Sequence, residues 1–477
     1  MAEAGIPSNQ LKKNSLGVAA VTFMVVSAAA PLTGAAGGIP LSMLLGNGIG
    51  IPGTFLIVTA ILLMFAAGYV AMSRHVKNAG AFYAFAAQGL GGHIGGAAAL
   101  IAMLSYNAMQ IGLMGLFGYA AAGTFAQFGL DLPWYYWSYA AIAIIAVLGY
   151  RQVDLSAKVL MVLVFFEFAI VLLLDIVILG KGGASGLNFA PFMPENIFSG
   201  TWSIGILYSF AGFIGFEATT IYSEEARDPH ITVPRATFLS VLAIGIFYSI
   251  TSWLMVMGIG NDQLMPTLGG MDPTMFLFQL GSTYLGDTMS MIMGILFVTS
   301  VFAALLAFHN AIARYIFVTG REGILPAAVG FTHAQHLSPH IGSVIQTALA
   351  LIFVTVFVVY QLDPVLNLFS WLSQLGTLGV LGLMSLTSFA VIAFFAKDAM
   401  GETALSTKIL PIISGVIMAI LFVKIFMDFG ALTGAEGHLS WMLPSLVIVA
   451  AAVGILLAAK LKSADPAKFA DLGKTKV

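Results

Sequence analysis

Long apolar runs, separated by short segments of charged and turn-forming residues, make up most of the chain. A helix that crosses a bilayer needs roughly 20 apolar residues, and twelve runs qualify. The twelve predicted spans, numbered 1 to 12, cover about 17–45, 50–72, 93–123, 133–150, 156–179, 201–222, 236–259, 285–313, 341–361, 366–395, 408–428 and 441–461. No segment between them is long enough for a soluble domain, so the chain must act within the lipid bilayer.

Composition narrows the class of protein further. Of 477 residues, 59% are hydrophobic and only 8% are charged, whereas soluble domains carry about 25% charged residues. The net charge of -2 offers no basic field for nucleic acid, and the absence of cysteine excludes disulfides and thiolate metal sites. The chain contains no GxxxxGK[ST], HExxH or GxSxG motif. We therefore expect no enzyme activity, catalytic residue, metal or cofactor.

Lysine and arginine are distributed unevenly between the predicted loops. If the N-terminus is cytoplasmic, seventeen of the 19 basic residues fall in cytoplasmic segments, and only Lys181 and Lys424 fall outside. Such a bias sets membrane orientation, and a miscounted early span would invert every later loop. The sequence therefore predicts that both termini are cytoplasmic.

Two spans contain helix-breaking residues at matching positions. Span 1 reads SAAAPLTGAAGG over 27–38, where Pro31 removes a backbone donor and three glycines lower helix stability. Span 6 repeats the feature over 209–217, which reads SFAGFIGFE. Irregular backbone survives at membrane depth only where it lines a cavity or a protein interior. Breaks in the first and sixth spans are what an inverted repeat of five helices predicts, and they indicate a transporter's midplane binding site.

Four predicted cytoplasmic segments resemble motifs of one transporter superfamily. They are Asn78-Ala79-Gly80-Ala81-Phe82-Tyr83 with Gly89-Leu90-Gly91, Val153-Asp154-Leu155-Ser156-Ala157-Lys158, Gly215-Phe216-Glu217 with Glu224-Glu225-Ala226-Arg227-Asp228-Pro229, and Thr319-Gly320-Arg321-Glu322-Gly323-Ile324-Leu325-Pro326. In this order, and at these topological positions, they resemble the amino acid, polyamine and organocation (APC) superfamily. The first-span break departs from the Gly-x-Gly that is usual there.

The resemblance implies the leucine-transporter-type fold, an all-α polytopic membrane protein that works by alternating access. It would have twelve transmembrane helices, arranged as two inverted five-helix repeats plus two extra helices, with the first and sixth helices discontinuous. The expected organisation is a cytoplasmic segment 1–16, a first repeat 17–180, an extracellular connection 181–200, a second repeat 201–395, two additional helices 396–461 and a cytoplasmic tail 462–477.

The two breaks supply most of the predicted substrate contacts. Free N–H groups at a half-helix N-terminus suit a carboxylate, and free carbonyls suit an ammonium group. Tyr106 and Gln110 lie four residues apart on one face of span 3 and could form a polar wall of the binding site. The alternative is that these two side chains hydrogen-bond to neighbouring helices. The predicted substrate-binding residues are Ser27, Ala28, Ala30, Leu32 and Thr33 for the carboxylate, Ser209, Phe210, Ala211 and Phe213 for the amino group and gate, and Tyr106 and Gln110.

Ion coupling is predicted at two places. Glu167 lies near the middle of span 5, where several proton-coupled relatives have a lysine, and burial among aromatic residues would favour its protonated form. A purely structural, protonated Glu167 is the alternative. Thr299 and Ser300 resemble the sodium ligands of sodium-coupled relatives, although such hydroxyls also serve helix packing. Asp175, Lys424 and Asp428, near outer helix ends, are expected to snorkel toward the membrane surface or to be solvated.

These features predict a secondary active transporter for a small, neutral amino acid, in a plasma membrane that the resemblance suggests is bacterial. The predicted lining contains no carboxylate unless Glu217 turns inward, and a polyamine would need carboxylates there. A polyamine or an amino alcohol such as ethanolamine remains an alternative substrate. A channel and a non-transporting sensor of the same fold remain alternatives of another class. The sequence does not predict an oligomeric state.

Overall fold

The computed structural model describes residues 17–76, 80–151, 157–217, 219, 226–333, 336, 338–434 and 438–474, and these residues form helices and connecting turns without an extended strand. The family motifs at 78–79, 153–156 and 220–225 lie outside the described residues. The backbone of Ser27 and Ala28 is described, but their side chains are not.

The helices of the described chain account for all twelve predicted spans. Nine are long and apolar enough to cross a membrane, and one of these, Pro31–Ser73, contains both the end of span 1 and all of span 2. Two shorter apolar helices supply spans 4 and 6. The spans are Val18–Ala28 continued by 31–47, Ile51–Ser73, Gly92–Ala126, Trp134–Tyr150, Ala157–Lys181, Trp202–Ala211, Pro229–Ile259, Asp287–Arg321, His340–Val359, Pro364–Phe394, Leu405–Thr433 and Leu439–Ala464.

Most helix ends lie within a few residues of their predicted positions, with three exceptions. The α-helix of span 6 ends at Ala211 instead of 222, where its break begins. Span 7 begins at Pro229 instead of 236, and span 8 ends at Arg321 instead of 313. Both extensions carry arginines, Arg235 and Arg314. A helix can continue beyond the hydrocarbon with charged residues, so the end of an apolar run marks the hydrocarbon boundary and not the last helical residue.

Among the short helices that the described residues form outside the spans, the two longest have nine and ten residues. Phe82–Leu90 precedes span 3, in a segment that the sequence indicated as a loop. Phe276–Leu285 occupies the connection between spans 7 and 8.

The break in span 1 occurs at Ala29 and Ala30. Ala30 has φ 45° and ψ 73°, a left-handed conformation that L-residues adopt at a cost of roughly 1–2 kcal/mol. Pro31 has no N–H and disfavours a helical conformation at the residue before it. Beyond the break, residues 34–38 form a π-helical turn, which is frequent at functional sites. Span 1 therefore consists of two helical segments that meet at Ala29 and Ala30.

The break in span 6 follows Ala211. Phe213 N donates to Phe210 O at 3.0 Å, and Ile214 N donates to Ala211 O at 3.2 Å, so the α-helix gives way to tight turns. Gly215 then has φ 111°, a conformation that only glycine adopts readily. The two discontinuous spans occupy the first position of each set of five, as the sequence predicts.

Spans 3, 8 and 10 form the centre of the packing around the two broken spans. Span 3 packs against spans 8, 10 and 12, and span 2 packs against spans 7 and 11. Span 5 contacts spans 7 and 8. The second segment of span 1 is thereby enclosed by helices from both halves of the chain.

Side chains from distant loops meet at one end of the helix bundle. Arg74 Nη1, after span 2, donates to both carboxylate oxygens of Glu402, before span 11, at 2.9 and 3.0 Å. Tyr83 donates to Glu322, after span 8, and Gly473 N donates to the same carboxylate at 2.9 Å. Burial, together with the nearby Glu322, raises the pKa of the Tyr83 hydroxyl, so it stays a neutral donor. We call this the basic end, and the end with residues 182–200 and 260–286 the opposite end.

Candidate functional site

A cavity of about 70 Å³ lies between the two helix breaks. A water molecule needs roughly 10–15 Å³ on this measure, so the space corresponds to about five waters, or one small organic molecule. Seven spans contribute to its wall, namely spans 1, 2, 3, 6, 7, 8 and 10. The described lining residues are Ala29, Ala30, Thr33, Gly34, Gly38, Ile39, Phe55, Met109, Leu113, Tyr208, Ala211, Gly212, Ile214, Tyr248, Ala304, Phe308, Phe369, Ser373 and Gln374.

The wall of this cavity is mainly apolar, and none of its described residues is charged. Two polar atoms on span 10, Ser373 Oγ and Gln374 Oε1, are buried without a hydrogen-bond partner in the described part of the chain. A buried polar atom without a partner costs about 1–3 kcal/mol. These two atoms are therefore available to hydrogen-bond a molecule in the cavity.

A chain of hydrogen bonds connects the cavity wall to Glu167. Thr33 Oγ1, which lines the cavity, lies 3.0 Å from Ser300 Oγ, and Ser300 Oγ donates to Glu167 Oε2 at 2.7 Å. Leu32 N donates to the same carboxylate oxygen at 3.4 Å. Glu167 is only 1% exposed. The carboxylate on span 5 thus reaches the N-terminal end of the second segment of span 1, two hydroxyl groups away from the cavity.

The predicted residues of span 1 fall in different places. Ala30 and Thr33 line the cavity, whereas Leu32 is fully buried and contacts Glu167 through its backbone N–H. Ser27 and Ala28 belong to the last turn before the break, and their side chains lie outside the described part of the structure.

Among the predicted residues of span 6, Ala211 lines the cavity. Ser209 Oγ donates to Gly205 O at 2.9 Å, within its own helix. Phe210 and Phe213 are buried outside the lining, and the Phe213 ring lies 6.3 Å from that of Phe55, which does line the cavity. In this conformation the two phenylalanines are therefore buried behind the residues that line the cavity. Their contact with a substrate stays a prediction.

Tyr106 and Gln110 bond to neighbouring helices. Tyr106 Oη donates to Glu217 Oε1 at 2.7 Å, and Glu217 Oε2 accepts from Gly215 N at 2.9 Å. Glu217 therefore holds the turn after the span 6 break to span 3, and it is not among the lining residues. Gln110 accepts from Gln346, and its Nε2 lies 3.4 Å from His309 Nδ1. Both predicted residues lie beside the cavity wall, and their contact with a substrate stays a prediction.

The two hydroxyl residues predicted as sodium ligands have different partners. Ser300 bonds to Glu167, whereas Thr299 Oγ1 donates to Leu296 O at 2.9 Å on its own helix.

The expectation for Asp175 was wrong. The side chain is 3% exposed, and Oδ2 accepts from Thr251 Oγ1 at 2.7 Å. Span 5 continues to Lys181, so Asp175 lies a turn and a half inside its end and faces span 7. Lys424 and Asp428, in contrast, are partly exposed and form an ion pair at 2.5 Å.

Several lining residues were not predicted from the sequence. Phe55, Phe308 and Phe369 are ordinary aromatic residues within apolar runs, so no local signal separates them from lipid-facing phenylalanines. Tyr248 on span 7 lines the cavity and donates from Oη to Ala29 O, a carbonyl exposed by the span 1 break, at 3.3 Å. Ser373 and Gln374 on span 10 are the exception, because hydroxyl and amide groups clustered in a membrane helix are a signal of a binding site.

Comparison with known proteins agrees with this architecture. Residues 16–457 match the family model described as amino acid permease. The branched-chain amino acid permease BcaP of Bacillus subtilis is 26% identical over 312 residues, and its alignment covers 60% of this chain and 63% of that protein. BcaP of Lactococcus lactis is 28% identical over 209 residues, covering 42% and 43%. The chain therefore matches less than two thirds of the length of either protein.

A polyamine carrier and a metal transporter show similarity at lower identity. The low-affinity putrescine importer PlaP of Escherichia coli is 21% identical over 310 residues, covering 63% of this chain and 66% of the importer. The solved structure of a manganese transporter from Eremococcus coleocola aligns with a TM-score of 0.59 at 12% identity, covering 95% of this chain and 98% of that one. That likeness concerns the fold, which is of the leucine-transporter type. The relatives are transporters and not enzymes, and the family match over most of the sequence shows that this chain belongs to the amino acid permease family of the APC superfamily.

Proposed function

We propose that the protein is a secondary active transporter of a small neutral amino acid, which binds in the cavity between the breaks of spans 1 and 6. The observation that carries this proposal is the cavity itself, which is lined by residues of both broken helices and mainly by apolar side chains. Alternating access requires a site that can be reached from either membrane face in turn, and helix breaks at mid-membrane are where such sites form.

The character of the wall supports a neutral, partly apolar cargo. Phe55, Met109, Leu113 and Ile214 would surround an aliphatic side chain, and the described lining offers no carboxylate to a second ammonium group. Moving an unpaired charge out of water costs several kcal/mol. A neutral amino acid, as carried by the BcaP relatives, is favoured on this argument over a polyamine such as the putrescine that PlaP imports.

Polar groups of the wall can recognise both charged ends of an amino acid. Gln374 Oε1 and Ser373 Oγ on span 10 could accept hydrogen bonds from the ammonium group. The helix that starts after Ala30 presents the positive end of its dipole to the cavity, where a carboxylate would be favoured. We assign Ala30, Thr33 and Ala211 to the substrate contacts, with Leu32, Phe210 and Phe213 behind them.

The position of Glu167 suggests how substrate and proton could be coupled. Its carboxylate already accepts a hydrogen bond from Leu32 N, at the helix end proposed for the substrate carboxylate. Two anionic groups at one helix end repel each other unless one takes up a proton. Glu167 would therefore be protonated when the substrate binds and deprotonated when it leaves. Sodium coupling through Ser300 is the alternative, because its hydroxyl faces the same carboxylate.

The same proposal includes an orientation in the membrane. The basic end carries Arg74 and Arg321 and joins the C-terminal segment at Gly473, so we assign it to the cytoplasm by the positive-inside rule. Both termini would then be cytoplasmic, in a multi-pass protein of a bacterial plasma membrane. The bilayer is the only partner that this assignment requires.

Substrate screening followed by counterflow tests the proposal. Purified protein would be mixed with amino acids, amines and nucleobases, and ligands found by their thermal shift would be tested in proteoliposomes. We expect a neutral amino acid to raise the unfolding temperature, and the same unlabelled compound inside the vesicles to accelerate uptake of labelled compound. Flux without saturation or exchange would indicate a channel, and binding without flux would indicate a sensor.

A further inference from the structure

Asp175 is a second buried carboxylate on span 5, outside the site described above. Only 3% of the residue is exposed, although it lies in a helix with many lipid-facing residues. Thr251 Oγ1 of span 7 donates to Oδ2 at 2.7 Å, while Oδ1 is buried without a partner in the described part of the structure. The group therefore has one hydrogen bond where an ionised carboxylate would accept several.

The surroundings of Asp175 suit a protonated carboxyl group better than a charged one or a metal cation. Val171, Leu174 and Ile178, on the adjacent turns, are fully buried and apolar. A sodium ion needs several oxygen ligands, and Thr251 is the one hydroxyl group that bonds to this carboxylate in the described structure. An ionised aspartate at this depth would cost several kcal/mol, and such residues are functional candidates by default.

The charged and titratable groups near Asp175 do not neutralise its carboxylate in the described structure. Span 5 packs against spans 1, 7 and 8 and the Phe276–Leu285 helix, and the described residues of span 1 carry no titratable side chain. The titratable groups of these elements in the same half of the membrane are Tyr248, Tyr284 and Asp287, and span 5 itself carries Glu167 and Lys181. Lys181 Nζ approaches Tyr284 O at 3.5 Å, Tyr284 Oη donates to Gly258 O at 2.9 Å, and Asp287 accepts from Ser282.

Asp175 lies between Glu167 and the opposite end of the molecule. The two carboxylates are eight residues apart on a continuous helix, about 12 Å at 1.5 Å per residue. Thr251, the hydrogen-bond partner of Asp175, follows Tyr248 by about one turn of span 7, and Tyr248 lines the cavity. Asp175 and Thr251 thus lie at the interface of spans 5 and 7, whereas Glu167 bonds to Leu32 N of span 1 and Ser300 Oγ of span 8.

We propose that Asp175 is a second proton-binding site of the transport cycle, which receives a proton from the opposite end and passes it on toward Glu167. The proton binds at Oδ1, the oxygen that lacks a partner, and leaves the carboxylate when Glu167 is to be reprotonated. No charge other than the proton moves, and no co-reactant is required. This inference rests on the proposed function only for the direction in which the proton moves during transport. Proton binding at Asp175 itself can be measured without transport.

Infrared spectroscopy of the purified full-length protein tests proton binding directly. A protonated carboxyl group has a C=O band that disappears on deprotonation, and we expect Asp175→Asn to remove one such band from the difference spectrum between acidic and alkaline buffer. Asp428→Asn is the matched control, because that aspartate pairs with Lys424 near the same end. An unchanged carboxyl spectrum in Asp175→Asn, or a band in wild-type protein that sodium abolishes at constant pH, would overturn the proposal.

Transport then tests the place of Asp175 in the cycle. Asparagine can still accept the Thr251 hydrogen bond, so we expect Asp175→Asn to fold and to retain counterflow at equal pH. Uptake driven by a proton gradient should fall by about tenfold or more. Undiminished gradient-driven uptake by Asp175→Asn would contradict the relay. If wild-type protein shows no counterflow at all, the proposed function fails, while the infrared result still decides whether Asp175 binds a proton.

Discussion

At the scale of single residues, Gly34 sets how closely spans 1 and 7 approach beside the cavity. A Cβ atom at Gly34 would lie 2.1 Å from Tyr248 Oη, far inside van der Waals contact. The neighbouring Gly38 also lines the cavity, but a Cβ atom there would have no atom within 4 Å outside its own helix. These two glycines differ in what a methyl group would meet, which makes them a matched pair.

Gly34→Ala should therefore lower stability and weaken substrate binding. Overpacking typically costs 1–3 kcal/mol, and the displaced Tyr248 would lose its bond to Ala29 O. Gly38→Ala should leave the unfolding temperature unchanged or slightly raised, since alanine favours a helix. Thermal unfolding in detergent, with and without ligand, measures both effects. Equal behaviour of the two variants would contradict the close approach at Gly34.

Glu167→Gln tests the coupling role of the buried carboxylate. Glutamine keeps the size and can accept from Ser300 Oγ, but it cannot exchange a proton. We expect uptake to lose its dependence on a proton gradient, while counterflow at equal pH persists. Thr299→Ala serves as the control, because in the described part of the chain the Thr299 hydroxyl bonds within its own helix. If Glu167→Gln uptake still follows the proton gradient, Glu167 is not the coupling group.

At the scale of helices, the account depends on the break at Ala30. Pro31 and the neighbouring glycines predicted a break within 27–38, because they weaken or remove backbone hydrogen bonds. The left-handed conformation of Ala30 could not be predicted, since alanine has no preference for positive φ. Tertiary packing of span 1 between spans 7 and 8 enforces it instead.

Substitutions at Ala29 and Ala30 separate backbone strain from filling of the cavity. Both residues line the cavity, but only Ala30 has positive φ. A β-branched residue in this conformation is strained, so Ala30→Val should destabilise the protein by about 1–3 kcal/mol more than Ala29→Val. Ala30→Gly should be tolerated, because glycine adopts this conformation without strain. Thermal unfolding of the three variants measures the difference, and equal losses for both valines would refute the strain at Ala30.

At the scale of the whole molecule, the fold was more predictable than the site. Apolar runs mark the spans because each must cross the same thickness of hydrocarbon, and the twelve-helix arrangement follows from them together with the family motifs. The cavity wall combines single residues from seven spans, and sequence periodicity does not specify which helix faces meet. Tyr106 and Gln110 illustrate the limit, since their spacing predicted a shared face but not that this face meets Glu217 and His309.

The absence of cysteine allows a direct test of the central claim, because a single introduced cysteine can be labelled without a background. Ala211→Cys would place a thiol in the cavity wall at the span 6 break, and Asp262→Cys would place one on the exposed surface near the opposite end as a control. The measurement is the rate of labelling by a small maleimide, with and without the amino acid that accelerates counterflow. We predict that the amino acid slows labelling at position 211 and leaves position 262 unaffected. Equal labelling of Ala211→Cys with and without saturating substrate would contradict a binding site between the two broken helices.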